Sequence, residues 1–248
     1  MGIASETAEP GIAVVTIDFP PVNALPAAGW QDLAGTVRAA GDDPATRAVV
    51  LRARGRGFCA GVDLKELQAA GAEAVIAVNR GCHAAFGAVY DCAVPVIAAV
   101  HGFCLGGGIG LAGNADVVIA SDDATFGLPE VDRGALGAAT HLARLVPHHL
   151  MRALYYTART VAAQELRQYG SVYEVVRRDE LDAAALGLAR EIAAKDPVVI
   201  RRAKEAINGI DPQDVHRDYR FEQGFTFELN LTGAADRARA AFLDGAAR

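Results

Sequence analysis

Residues 95–113 read PVIAAVHGFCLGGGIGLAG. An apolar run, Val94 to Val100, has the character of a buried strand. Three consecutive glycines, Gly106 to Gly108, follow it, and an apolar stretch that reads as a helix starts there. A strand–turn–helix unit of this kind leaves amide groups unpaired at the helix start, beside the positive end of its dipole. Glycine lets that backbone take positive φ and come close to another group. The turn has a second copy. Gly57-Phe58-Cys59-Ala60-Gly61 and Gly102-Phe103-Cys104-Leu105-Gly106 stand 45 residues apart, each after a strand and before a helix. Set side by side, the two would offer the amides of Val62 and Gly107 to one oxygen. That is the geometry of an oxyanion hole, in which each donor is worth about 3–4 kcal/mol of barrier. On the residues alone, tight helix–strand packing explains the glycines equally well. The run is not a Walker loop, since no Lys-Ser/Thr follows. It fails as a dinucleotide fingerprint because Leu111 stands where the third glycine belongs.

Working outward, Gly11 to Asp18, Ala48 to Leu51 and Val117 to Ala120 read as further strands. Helical spacing marks Ala28 to Ala40, Leu64 to Gln68 and Ala72 to Tyr90. Alternation of this kind predicts a buried, largely parallel α/β arrangement. An apolar helix is expected over Ala135 to Val146. From Leu181 strand signals cease, and four helices are predicted over 181–194, 198–207, 215–231 and 234–243. We therefore divide the chain into a core, 1–185, and a helical region, 186–248.

The 248 residues are 52 % apolar, with 24 basic and 30 acidic side chains and a net charge of -6. Basic clusters are no longer than pairs, so no nucleic-acid footprint is expected. Cys59, Cys82, Cys92 and Cys104 lack the spacing of a metal site and are expected to be reduced packing residues. MGIASETAEPG has no basic or apolar leader character, and the longest apolar tract is broken by His101 and glycines. A cytoplasmic protein without membrane attachment is the expectation.

Asn23-Ala24-Leu25, GRGFCAGVDLKEL (Gly55 to Leu67), Pro95 to Gly113 and ADVVIASDDATFGLPEV (Ala115 to Val131) occur in an order that strongly resembles the crotonase (enoyl-CoA hydratase/isomerase) superfamily. The resemblance spans nearly the whole chain. It implies a spiral of ββα units, a C-terminal helical trimerisation region, and an acyl-CoA substrate, with coenzyme A entering only as part of that substrate. A homotrimer or dimer of trimers is implied too. Val62 and Gly107 would hold the thioester oxygen as it becomes an enolate. Ala60, Leu64, Lys65 and Gly106 match the segments that line the CoA and acyl site. Where the family often has a basic residue ahead of Asn-Ala-Leu, this chain has Pro20-Pro21-Val22.

Hydratases of the family use two glutamates. The second matches Glu130; the first would stand at Gly110. Glu130 is therefore the expected acid–base group, its pKa raised by burial. Gly110 is expected to leave a void able to admit a bulky acyl group. Asp132 and His141 are the candidates to replace the missing carboxylate. GFCLGGGIGLAGNAD, LPEVDRGALGAATHLARLVP and EQGFTFELNL resemble an actinobacterial branch linked to steroid-ring degradation, which implies hydrolytic carbon–carbon opening of a cyclic β-diketone CoA thioester. The other readings are a 2-enoyl-CoA hydratase, a 3-enoyl-CoA isomerase and a non-catalytic acyl-CoA binder.

Overall fold

The computed structural model describes residues 1–245. The chain opens with β1 (Gly2–Glu9), β2 (Ile12–Asp18), β3 (Ala24–Leu25), α1 (Ala27–Asp42), β4 (Ala48–Ala53), β5 (Gly61–Val62) and α2 (Leu64–Tyr90). β6 (Val96–Val100), β7 (Phe103–Leu105), α3 (Gly107–Asn114), β8 (Val117–Ser121), β9 (Thr125–Gly127) and a 3₁₀ turn over Glu130–Arg133 follow. Next come α4 (Ala139–Leu142), α5 (His148–Thr157), β10 (Thr160–Ala162), α6 (Ala163–Tyr169) and β11 (Glu174–Val176). The chain closes with α7 (Leu181–Ala193), α8 (Pro197–Gly209), α9 (Val215–Leu231) and α10 (Ala234–Leu243).

Six strands form the main sheet in the order β1-β2-β4-β6-β8-β11, and three short ones a second sheet, β10-β9-β7. In the main sheet β1 pairs antiparallel with β2; the other pairings are parallel. The period-two alternation of side chains splits each strand between two cores. Val15, Ile17, Val49, Leu51, Ala98 and Val100 face α1 and α2, whose Trp30, Leu33, Phe86 and Val89 complete the larger core. Ile12, Val14, Ala48, Val50, Ile97 and Ala99 face α7, through Leu181, Ala185 and Ala189. A sheet covered on both faces is read as continuous apolar runs, which is why these strands are visible in sequence.

The expected division at residue 185 falls inside α7. That helix is needed to cover the sheet, so it belongs with the core. The helix expected over 135–146 shrinks to the four residues of α4, because Gly137 (φ 151°) and Ala138 (φ 62°) hold the backbone out of helical geometry. The two helices read before Tyr90 are one, α2, broken at Gly71 (φ 62°, ψ -146°). α9 packs on α2 and α4, and α10 on the Glu130–Arg133 turn. The C-terminal helices therefore roof part of the core as well as extending from it.

Candidate active site

The repeated turns lie against each other. Phe58 N–H donates to His101 O at 2.9 Å, Cys59 N–H to Phe103 O at 3.2 Å and Leu105 N–H to Cys59 O at 2.8 Å. The backbones at Cys59 and Cys104, the same position in the two copies, pair as a parallel β-bridge, and both thiols are free. Both glycines that end the copies take positive φ, 94° at Gly61 and 57° at Gly106. A Cβ on Gly61 would stand 3.0 Å from the Gly107 nitrogen, so only glycine allows this approach.

Two amides face the space so created. Gly107 is the first residue of α3, where the amide has no intrahelical acceptor. In β5 the Asp63 N–H donates to Leu25 O at 3.0 Å, and strand alternation turns the Val62 N–H away from β3. Val62 and Gly107 line one cavity, together with Ala60, Leu64, Gly106 and Glu130. Trp30, fully buried, lies behind the hole: a Cβ on Gly107 would meet its ring at 2.6 Å.

β9 delivers Glu130. It runs parallel to β7, and Gly106 N–H donates to Gly127 O at 3.1 Å, so the residues after Gly127 emerge beside the second turn. A Cβ on Gly106 would stand 2.7 Å from Glu130 Oε1, which puts the carboxyl against the oxyanion turn. Burial pushes the Glu130 pKa up to about 8; the nearby Arg133 charge pulls the other way and loses. Glu130 Oε2 is buried without a hydrogen-bond partner among the described residues. It is an unpaired carboxyl in the cavity lining whose proton affinity burial has raised toward the range useful to a general base.

The other candidates are elsewhere. Gly110 is no void: a Cβ there would meet the Phe86 ring at 2.3 Å, so the family's first glutamate position is filled by an aromatic ring from α2. Phe86, rather than Gly110, lines the cavity. His141 sits behind that ring, its centroid 5.1 Å from Phe86 and 4.9 Å from Tyr219, and does not reach the cavity. Asn114 Nδ2 donates to Phe86 O, leaving its Oδ1 to accept from His141 Nδ1 at 2.9 Å. Burial then holds the ring neutral, with a pKa near 3. Asp132 lies outside the cavity lining, its amide donating to Pro129 O at 3.2 Å. Neither side chain lines the cavity with Glu130. Lys65 is exposed at the start of α2, next to the cavity-lining Leu64. The thiols in the turns are inert: burial raises Cys59 to about 12 and Cys104 well above the usual thiol range.

The geometry has close counterparts. The profile of the enoyl-CoA hydratase/isomerase family matches residues 7–232. The chain belongs to the enoyl-CoA hydratase/isomerase family. A Rhodococcus jostii protein, (7aS)-7a-methyl-1,5-dioxo-2,3,5,6,7,7a-hexahydro-1H-indene-carboxyl-CoA hydrolase, is 66 % identical over 98 % of this chain and 95 % of that one. A Mycobacterium tuberculosis protein of the same name is 67 % identical over 98 % and 99 %. Among solved structures, an enoyl-CoA hydratase/isomerase from Xanthobacter autotrophicus Py2 superposes with a TM-score of 0.86 at 30 % identity, covering 98 % of this chain and 96 % of its own. The crotonase-like spiral expected from the sequence is the fold observed.

The family resemblance did not point to every residue around the cavity. Asn79 and Phe86 of α2, Arg133 of the 3₁₀ turn, Tyr219, Thr226 and Asn230 of α9, and Arg239 of α10 also line it. Asn79 Nδ2 and Arg133 Nε are buried and unpartnered among the described residues. Their only sequence signal was position: Arg133 follows Glu130 by three residues, and Thr226 and Asn230 fall in EQGFTFELNL. Glu222, from the same stretch, is a structural carboxylate. It accepts from the Ala139 and Thr140 amides at 2.9 and 2.7 Å and from the Thr140 hydroxyl, capping α4. Among the described residues, no cluster of three or more His, Cys, Asp or Glu is placed to hold a metal. No helix there is long and apolar enough to cross a membrane.

Proposed function

We propose that this enzyme opens a carbon–carbon bond of a bicyclic diketone carried as a CoA thioester, adding water across it. The observation that carries this reading is the single carboxyl of Glu130, buried against the oxyanion turn, with Phe86 where a hydratase's other glutamate would stand. One base and one oxyanion hole suffice for hydrolytic ring opening, whereas two-glutamate hydration lacks half its apparatus. The names of the relatives at 66 % and 67 % identity favour the same chemistry.

Their substrate's name leaves one alkene, between ring carbons 3a and 4. Carbon 7a, next to the ketone at carbon 1, is allylic to it. Cleavage between carbons 1 and 7a sends the electron pair through the alkene to carbon 4. Carbon 4 is the ring position from which a thioester shares that charge, so the amides of Val62 and Gly107 would stabilise the departing carbon through the thioester oxygen. Glu130 takes one proton from water as the water oxygen joins carbon 1, and returns it to carbon after cleavage. The product carries a new carboxyl group. CoA contacts by Ala60, Leu64, Gly106 and the exposed Lys65 belong to this reading.

The test is mass spectrometry after incubation in oxygen-18 water with that bicyclic diketone CoA thioester and, separately, crotonyl-CoA. One oxygen-18 in a new carboxylate of the diketone product is expected, with crotonyl-CoA untouched. Label in a 3-hydroxyacyl product, with the diketone intact, would make the enzyme a hydratase.

A further inference from the structure

Arg133 is a cation in the acyl cavity whose buried Nε has no partner among the described residues. It stands three residues after Glu130 in the same 3₁₀ turn, where positions i and i+3 share one face, and both line the cavity. They are not paired with each other: Glu130 Oε2 and Arg133 Nε are each buried without a partner among the described residues. The other arginine of the lining, Arg239, is already committed, to Asp236 at 2.5 Å and Asn230 at 2.9 Å. Arg133 lies instead over the Phe242 ring, 4.7 Å from guanidinium carbon to centroid, a contact that supports a cation without neutralising it. A guanidinium keeps its proton inside a protein, and although the Glu130 and Asp132 carboxyls lie near enough to favour the charge, neither pairs with it, so its buried Nε is left free to donate to a ligand in the cavity.

We propose that Arg133 is the anion-binding residue of the acyl cavity. Resting on the hydrolase reading, the anion is the ring-ketone oxygen. When water adds, the carbonyl π pair moves onto that oxygen, the new bond forms from the water oxygen to carbon 1, and Glu130 accepts the water proton. Arg133 holds the alkoxide. The alkoxide then reforms its C=O, the bond from carbon 1 to carbon 7a breaks, and its pair enters the alkene conjugated to the thioester. The acid so formed gives its remaining proton to solvent, and Arg133 holds the carboxylate; the proton on Glu130 goes to carbon. The reaction thus has two oxyanion sites, backbone amides for the thioester and a side chain for the ketone.

The experiment is calorimetric titration with CoA thioesters ending in a carboxylate, from succinyl- to pimeloyl-CoA, each against its methyl-ended counterpart from butyryl- to heptanoyl-CoA. At one chain length or more, the carboxylate should bind the native enzyme at least about tenfold more tightly. Arg133→Gln should erase that preference and change the methyl-ended ligands by less than about threefold. Arg133→Lys, which keeps the charge but not the fork, should retain part of it. No carboxylate preference at any length in the native enzyme overturns the proposal, as does a preference undiminished in the Gln variant. If the Gln variant binds no thioester at all, the Lys variant decides, and an undiminished preference there overturns it equally. An Arg133-dependent preference in an enzyme that leaves the bicyclic diketone intact would sink the hydrolase reading and leave the anion site standing.

Discussion

Glu130 can take a proton from water only as a carboxylate, and its burial makes that form costly. With the pKa near 8, kcat/KM for ring opening should rise about tenfold per pH unit up to that value and level off above it. A profile flat from pH 6 to 9 would remove Glu130 as the base. Replacement by Gln should lower turnover by about 10²–10⁴-fold while thioesters still bind. The same burial sets a stability cost. The native state holds the Glu130 proton more tightly than the unfolded chain, whose value is near 4.5, so this stabilisation is full below pH 4.5 and lost as pH rises toward 8. His141 acts in the opposite sense. Its depressed pKa stabilises the fold above 6.5 and loses that contribution as pH falls toward 3. Between 4.5 and 6.5 the two slopes, each about 1.4 kcal/mol per pH unit, oppose each other. Thermal stability should therefore fall from pH 6.5 to 8, and Glu130→Gln should abolish that fall. An unchanged alkaline decline in the variant would contradict the burial argument.

At the scale of elements, α3 and α2 close on each other through Gly110 and Phe86. Gly110→Ala should destabilise by about 1–3 kcal/mol, because the ring at 2.3 Å has to move. In a chain of this length the melting temperature should drop by about 2–4 °C per kcal/mol. A variant melting with the native protein would show that the ring yields freely. The sequence told that a family glutamate was missing at Gly110, but not what fills its place. Phe86 lies 24 residues upstream on another helix, and only the packing of α2 on α3 brings them together. His141 lies away from the cavity for a related reason. Gly137 and Ala138 in positive-φ geometry shorten its helix and turn it behind Phe86. The two glycine turns, by contrast, were legible, since each carries its own strand, glycine and helix signals. The buried strands were legible because both faces are covered. The edge strand β1 was not: most of its residues are exposed and it has no continuous apolar run.

At the scale of the molecule, α8 and α9 keep large apolar side chains in water. Val198 is 67 % exposed, Phe221 70 % and Leu231 87 %, beyond what scattered surface residues explain. We expect association through this C-terminal region, and multi-angle light scattering should give the mass of a trimer or of two trimers. A monomer at micromolar concentration would count against it. α9 also brings Tyr219, Thr226 and Asn230 to the cavity, and α10 brings Arg239.

The chain has one tryptophan, and Trp30 packs its ring behind the Gly107 amide and edge-on to Phe86 at 5.6 Å. Its indole nitrogen is buried and unpartnered among the described residues, so its excited state is tuned by the dipoles and packing immediately around it. Whatever displaces or polarises the Gly107 backbone acts on that surrounding. A single tryptophan thus stands behind the Gly107 amide, and its emission, excited apart from the six tyrosines, should change when a thioester fills the cavity.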